Sequence, residues 1–224
     1  MRLSEQPDLI ERYKRLRIIG RGLVPKVLEA TRHLDFDMIK AAKKLTLPVS
    51  GRTLIFDEGE TDTNAFIDFY LHEFRVGGRR VVDCCDPEAM GLSPDERDLL
   101  EAHRSTRASL FDVLAVDAAN ELLQMRDLLA SDKPDVRLTD LSLSSMDNVA
   151  GNLLLFVRVL ACQGIEMSSG CFFSFSPRHR QRLLDAHALR MKTVAPAEYS
   201  QRTFIFFYQR HREFGEAEAY AEVT

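Results

Sequence analysis

Histidine and carboxylate side chains are the first residues in this sequence that could carry chemistry. Asp68 and His72 are four residues apart in the segment NAFIDFYLHEF, and Glu73 follows directly. Residues at i and i+4 lie on one face of a helix, so the spacing allows a carboxylate–imidazole pair. A metal site would need a third ligand, and the sequence has neither HExxH nor a facial triad. We interpret the pair as a surface or half-buried ion pair and predict no metal site and no cofactor.

The segment SSGCFF offers two nucleophile types, Ser169 and Cys171. The GxSxG pattern that presents a serine at a strand–turn–helix elbow is absent, and no acid–base partner can be assigned to either residue. Small residues on a hairpin are typical of a place where a neighbouring backbone or helix approaches closely. The sequence therefore predicts no catalytic residue. If the protein is an enzyme of unrecognised class, Asp68 and His72 are the candidates.

Two further segments contain residue types found in binding sites, but neither predicts one. The segment IIGRGLVPK lacks GxxxxGK[ST], and no strand leads into it, so we interpret Gly20, Gly22 and Pro25 as a kink or break in a helix, after which Pro25 opens the next one. His179 and His187 lie eight residues apart in an arginine-rich segment, and we predict that both are solvated.

The four cysteines are predicted to be free thiols. Cys84 and Cys85 are adjacent, and a disulfide between neighbours is strained. A two-residue turn directly after Cys162 would place Cys171 opposite Phe156, several residues out of register for a bridge. Neither CxxC nor a zinc-finger spacing occurs.

A basic cluster near the N-terminus is the strongest indication of a binding surface. Residues 1–50 carry a net charge of +5, whereas residues 51–224 carry −9. Such a cluster can neutralise phosphates of an anionic partner, or it can contact the acidic remainder of the chain. A pI of about 5.9 argues against dedicated nucleic-acid binding. The predicted anionic-partner site consists of Arg12, Lys14, Arg15, Arg17 and Arg21.

The elements that position these residues are predicted to be mainly helical through about residue 107, with one short strand over RTLIFD (52–57). Apolar residues recur at helical spacing from Ile10 to Leu23, and Asp35 or Asp37 can cap a helix over MIKAAKKL. Asp62 or Thr63 can cap the helix that carries NAFIDFYLHEF. The segment SPDE, with serine at the cap, proline at the first helical position and glutamate at the third, is a capping box for a helix over about residues 94–103.

From residue 108 the pattern changes to strand-length runs separated by turn residues. Five runs predict an antiparallel meander that forms a sheet or a small, partly open barrel, with NLLLFVRVLA as its central strand. A helix over RHRQRLLDAHAL follows, TFIFFYQRH is interpreted as one last strand, and EAEAYAEVT as solvated or frayed. The predicted fold is α+β, with residues 1–107 and 108–224 packed as one unit.

Composition places the chain among folded globular proteins. Of 224 residues, 45% are hydrophobic and 29% are charged, which is close to ordinary usage. The N-terminus is too polar for a secretory signal, and no apolar run approaches the roughly 20 residues of a spanning helix. The sequence predicts a cytoplasmic protein without membrane association.

The order of these landmarks resembles a family of uncharacterised bacterial proteins. The resemblance is carried by RYKRLR, DMIKAAKKL, TLIFDEGE, RSTRASLFDVLAVD, VRLTDLSLS and GNLLLFVRVL, and it covers most of residues 10–175. The β-rich part is similar to segments found beside SEC-C-type zinc motifs, although the Cys/His cluster of that motif is missing. The resemblance implies a helical first half and a β-rich second half, and it implies no activity.

Three functions remain open from the sequence. The first is a non-catalytic interaction or regulatory module that binds a protein partner. The alternatives are a nucleic-acid-binding accessory protein that uses the basic helix, and an enzyme of unrecognised class. The preference for a non-catalytic module depends on one expectation, that the polar residues cap helices and form turns instead of converging on a pocket.

Overall fold

The computed structural model describes residues 7–34, 36–57, 59–146 and 149–216. The fold is α+β, as predicted, with helices before and after a five-stranded barrel. No helix in these ranges has the length and apolar character needed to cross a bilayer. The helices are α1 (Pro7–Ala30), α2 (Met38–Leu45), α3 (Glu60–His72), α4 (Pro94–Ser105), α5 (Leu141–Ser144), α6 (Arg180–Met191) and α7 (Tyr199–Phe214). Two small hairpins pair β1 (Val49–Ser50) with β2 (Thr53–Leu54) and β3 (Arg75–Val76) with β4 (Arg79–Arg80).

Helix α1 is continuous, so the predicted break at Gly20, Gly22 and Pro25 is wrong. Leu16 and Leu23 are buried on one side of the helix, which packs against α4 and the barrel. Pro25 faces solvent, where a missing backbone hydrogen bond is tolerated when tertiary packing holds the helix. No second helix begins at Pro25.

The capping predictions are confirmed at two of three helices. The Asp37 side chain accepts a hydrogen bond from the Lys40 amide at the start of α2, and Asp35 lies outside the described residues. Ser93 and Glu96 form the complete capping box of α4. Helix α3 begins earlier than predicted, at Glu60, with residue 59 as its cap in place of residue 62 or 63.

Helix α7 occupies the segment that we predicted to be a final strand. Its run of aromatic residues resembles a strand because the helix is buried on more than one side. Phe204 and Phe207 pack on Phe156 of the barrel, and Phe206 packs on His187 of α6. The predicted strand is therefore wrong. The tail that we predicted to be solvated lies outside the described residues from residue 217 onward.

The barrel consists of β5 (Ala108–Asp117), β6 (Leu122–Asp127), β7 (Val136–Thr139), β8 (Leu154–Cys162) and β9 (Ile165–Phe175). All five predicted strands exist, but they close into a ring in the order β5-β6-β7-β9-β8. The predicted small five-stranded barrel is confirmed, but it is closed and not partly open, and its β7–β9 pair is parallel where we predicted only antiparallel pairs. Closure leaves no unpaired edges, and β8 is one member of a ring and not a central strand.

Two apolar clusters lie on opposite faces of the barrel strands. Leu155 and Val157 of β8 belong to a cluster formed within the barrel half, whereas Leu154 and Phe156 belong to a larger cluster shared with the helices. The larger cluster also contains buried side chains of α1, α2, α3, α4 and α7. The helices thus pack against the outer face of β8 and β9.

Candidate functional site: a cavity between helix α1 and strand β9

A cavity of about 360 Å³ lies where α1, α3, α4 and the barrel meet. Arg17 and Arg21 of α1, Asp68 and His72 of α3, and His103 of α4 line it. Its apolar lining includes side chains of α1, α4, β8 and β9. The expectation that the polar residues would not converge on a pocket is therefore wrong.

A bulge in β9 forms one wall of this cavity. The register between β8 and β9 shifts so that residues 169–171 lie opposite Arg158 alone. Gly170 in this bulge has φ +99°, a conformation that favours glycine. A Cβ atom at Gly170 would lie 3.7 Å from Nη2 of Arg17, whose Nη1 donates a hydrogen bond to the Ser168 carbonyl over 2.9 Å. The bulge therefore lets α1 approach the barrel closely.

The same register shift corrects one prediction about the cysteines. The predicted two-residue turn after Cys162 is confirmed, and Cys162 pairs with Ile165. Phe156 pairs with Phe173, however, and not with Cys171, because the bulge displaces the end of β9 by two residues. All four cysteines are free, and Ser169 and Cys171 both line the cavity.

His72 and His103 form a hydrogen-bonded pair in the cavity wall. Nε2 of His72 lies 2.9 Å from Nδ1 of His103, and Nδ1 of His72 lies 2.9 Å from the Asp68 backbone carbonyl. The side chains are buried, and their rings stack with centroids 5.1 Å apart. Burial, aided by the positive charge of Arg158, lowers the pKa of both, to about 4 for His103. Both imidazoles are therefore neutral at pH 7.

Arg158 is a buried cation close to this histidine pair, and it forms an ion pair with the carboxylate of Asp68. Its Nε lies 3.0 Å from Oδ2 of Asp68, and its Nη2 lies 2.6 Å from Oε1 of Glu73. Asp68 and His72 are 5% and 2% exposed, so their interpretation as a surface or half-buried ion pair is wrong. Burial raises the pKa of Asp68, and Arg158 opposes that shift. Ser200 and Gln201 of α7 also bind Glu73.

The predicted basic cluster divides into two groups in the structure. Arg12 donates to the Gln163 carbonyl over 3.2 Å, Arg15 pairs with Asp95, and Lys14 pairs with a glutamate of its own helix. Arg17 and Arg21 instead line the cavity, and Arg21 has no polar partner among the described residues. Binding of an external macromolecule through the whole cluster stays a prediction.

Comparison with protein families shows that residues 7–221 match the family of unknown function DUF7986. The protein belongs to this family. Comparison with the curated proteins and with the solved structures found no match. The expectation of a family without an assigned activity is confirmed, whereas its bacterial origin and the likeness to segments beside zinc motifs stay predictions.

Two further expectations for this DUF7986 chain concern the exposure of His187 and the presence of metal ligands. His187 is buried and lies 2.9 Å from the Thr203 hydroxyl, so its predicted solvation is wrong. Within the described ranges, no group of three or more His, Cys, Asp or Glu residues is placed to hold a metal ion.

Sequence reasoning missed two residues that organise the DUF7986 cavity, His103 and Arg158. His103 lies four residues after Leu99 on the buried face of α4, and that spacing was a usable signal. Arg158 interrupts an apolar strand, and a buried guanidinium requires carboxylate partners. Nothing in the sequence indicates that the partners are Asp68 and Glu73, 90 and 85 residues away.

Proposed function

We propose that the protein is a non-catalytic binding module that holds a small anionic ligand in the cavity between α1 and β9. The observation that supports this function is the position of Arg17 and Arg21, two guanidinium groups on one helix face at a pocket with a buried polar wall. Guanidinium groups bind carboxylates and phosphates through charge-assisted hydrogen bonds.

The placement of the charged groups around the cavity bears on which ligand it can hold. Two carboxylates also line the cavity, Glu60 and Asp68. Asp68 is paired with Arg158, while Glu60 is exposed at the first residue of α3. With neutral histidines, Arg17 and Arg21 balance Glu60 and Asp68 in the lining, and Arg158 is shared between Asp68 and Glu73. The anion proposal therefore rests on the position of the two guanidinium groups and not on a net positive charge.

The size of the cavity supports a small molecule over a macromolecule. A volume of about 360 Å³ is at the lower end of the roughly 300–1,000 Å³ of ligand pockets. Apolar side chains such as Leu16 and Met167 contribute to the lining and can contact a short carbon skeleton. A compact carboxylate or phosphate monoester fits these properties.

The test is calorimetric titration of the purified protein with phosphate, butyrate and a short alkyl phosphate at two salt concentrations. We expect binding that weakens with salt, and at least a tenfold loss in Arg21→Gln, since a hydrogen bond to a charged group contributes roughly 1.5–3 kcal/mol. Lys14→Gln, on the same helix but outside the cavity, should bind as the wild type does. Glu60→Gln should bind anions slightly more tightly.

Failure of all three probes to bind, or equal losses in Arg21→Gln and Lys14→Gln, would rule out this function. The second result would mean that the helix attracts anions only through its overall charge.

A second candidate, binding of a protein partner, is favoured by a groove between α6 and α7. Leu189 is 67% exposed there beside the buried ring of Phe206. The charged residues that line the groove are all basic: Arg182, Arg190, Arg202 and Arg210. Charge complementarity therefore favours an acidic helical segment with an apolar face as the occupant.

This second function is tested with a photo-crosslinking residue at position 189. A partner identified in this way is purified and titrated against the wild type and Arg190→Glu, with the exposed Arg32→Glu as the matched control. We expect at least a tenfold loss in Arg190→Glu alone. Equal affinity of the two variants would contradict the groove as the binding surface.

A further inference from the structure

We propose that the ligand of the cavity is a hydroxylated anion, such as a small hydroxycarboxylic acid or the phosphate ester of a polyol, and that Nε2 of His103 accepts a hydrogen bond from its hydroxyl group. This inference rests on the proposed anion-binding function. It adds to the two arginines a second, uncharged group that recognises the ligand, the imidazole of His103.

The hydrogen-bond pattern fixes which nitrogen of His103 carries its proton. The Asp68 carbonyl can only accept, so Nδ1 of His72 carries a hydrogen and its Nε2 has a lone pair. Nδ1 of His103 must then donate to that lone pair. Each assignment follows from the one before it, and the neutral ring of His103 is left with its lone pair on Nε2.

This nitrogen is the part of the pair that remains available to a ligand. His103 is 7% exposed and lines the cavity, and its Nε2 accepts no hydrogen bond from any residue in the described ranges. Because His103 keeps a small exposed fraction at the cavity, a ligand donor can reach this acceptor and replace solvent as its hydrogen-bond partner.

The same nitrogen cannot bind the anionic group itself. A neutral imidazole whose Nδ1 is already committed presents only a lone pair, which repels a carboxylate or phosphate oxygen. An ammonium group is disfavoured as well, because Arg17 and Arg21 line the same cavity and Arg158 lies behind the histidines. A hydroxyl group is the donor that carries no charge into this environment.

The test uses pairs of ligands that differ by hydroxyl groups: butyrate against 2- and 3-hydroxybutyrate, and propyl phosphate against glycerol phosphate. In calorimetric titrations at pH 7.5, we expect at least one hydroxylated member to bind the wild type at least tenfold more tightly than its parent. In His103→Asn the ratio between the affinities of the hydroxylated anion and its parent should fall below about twofold. The amide nitrogen of asparagine can still donate to His72.

A second measurement uses the wild type alone and does not depend on the folding of a variant. In ¹⁵N-detected imidazole spectra, the unprotonated Nε2 resonance of His103 should move towards lower frequency with the hydroxylated anion and stay in place with its parent. The direction follows from hydrogen bonding to a ring lone pair.

The outcomes separate the two proposals. Anions that bind with no hydroxyl preference, or a preference that survives in His103→Asn with an unmoved Nε2 resonance, would overturn the hydroxyl inference and leave anion binding in place. Absence of binding by every probe would overturn both.

Discussion

At the residue scale, Arg158 determines whether the buried polar groups are compatible with folding. It is 1% exposed and pairs with two carboxylates, Asp68 and Glu73, that are 5% and 1% exposed. Arg158→Met keeps much of the side-chain volume but leaves Asp68 and Glu73 buried without a cation. Breaking a buried pair in this way costs about 3–5 kcal/mol, and we expect a loss of that size in the free energy of unfolding from urea titrations.

The control for this variant is an ion pair nearer the surface. Nε of Arg202 lies 3.3 Å from Oε2 of Glu198 and both side chains are about half exposed, so Arg202→Met should cost about 1 kcal/mol or less. If Arg158→Met also lost less than about 1 kcal/mol, Asp68 and Glu73 would have to be neutralised by another means.

The histidine pair predicts a specific pH dependence of stability. Because the pKa of His103 falls from 6.5 to about 4 on folding, protonation favours the unfolded chain. The contribution of neutral His103 to the free energy of unfolding is complete above about pH 6.5. It decreases by about 3 kcal/mol as the pH falls towards 4. The lowered pKa of His72 acts in the same direction, whereas the raised pKa of Asp68 opposes it.

Comparison with His103→Asn isolates this effect, since the variant keeps Asp68. Between pH 7 and pH 4, the free energy of unfolding of the wild type should fall about 3 kcal/mol further than that of the variant. Parallel pH curves from urea denaturation would show that His103 is not held neutral by the fold.

At the element scale, two glycines with the same open surroundings should respond in opposite ways to alanine. A Cβ atom at Gly22 or at Gly164 would have no neighbour within 4 Å. Gly22 is inside α1, so Gly22→Ala should raise stability by about 0.5–1 kcal/mol. Gly164 has φ +78° in the turn between β8 and β9, so Gly164→Ala should lower it by about 1 kcal/mol.

Thermal or urea unfolding of both variants measures these changes. A neutral or destabilising Gly22→Ala would contradict the open helical position of Gly22. Equal signs in the two variants would contradict the backbone conformation of the turn.

The elements also show which part of the fold the sequence could predict. The existence of the five barrel strands, the turn after Cys162 and the caps at Asp37 and Ser93 depend on neighbouring residues, and these were predictable. The continuity of α1 depends on packing against α4 and β9, which overrides the local effect of Pro25. The parallel pairing of β7 with β9 and the closure of the barrel depend on contacts distant in sequence, and no local pattern encodes them.

The candidate site was predictable to a smaller degree for the same reason. The spacing of Asp68 and His72 was visible on one helix, and so was the basic face that contains Arg17 and Arg21. Their convergence with His103 requires α1, α3 and α4 to meet over the β9 bulge, and bulges leave little trace in sequence apart from a glycine.

At the scale of the whole molecule, one apolar cluster connects the helical region with the barrel. It includes Cys85, which follows a short 3₁₀ turn, and Cys162 at the end of β8. Both thiols are free and buried, and burial raises the pKa of each. Because a shared core couples the two regions, we expect the molecule to unfold as one cooperative unit.

Pulsed alkylation in increasing urea, with each cysteine quantified by mass spectrometry, tests this coupling. Cys85 and Cys162 should become reactive at the same urea midpoint, and Arg158→Met should shift both midpoints equally, because Arg158 connects β8 to α3. Separate midpoints would mean that the helices can open while the barrel stays folded. The cavity between α1 and β9 would then lie at the boundary of two units, and a ligand bound there would raise the midpoint of the weaker unit more than that of the other.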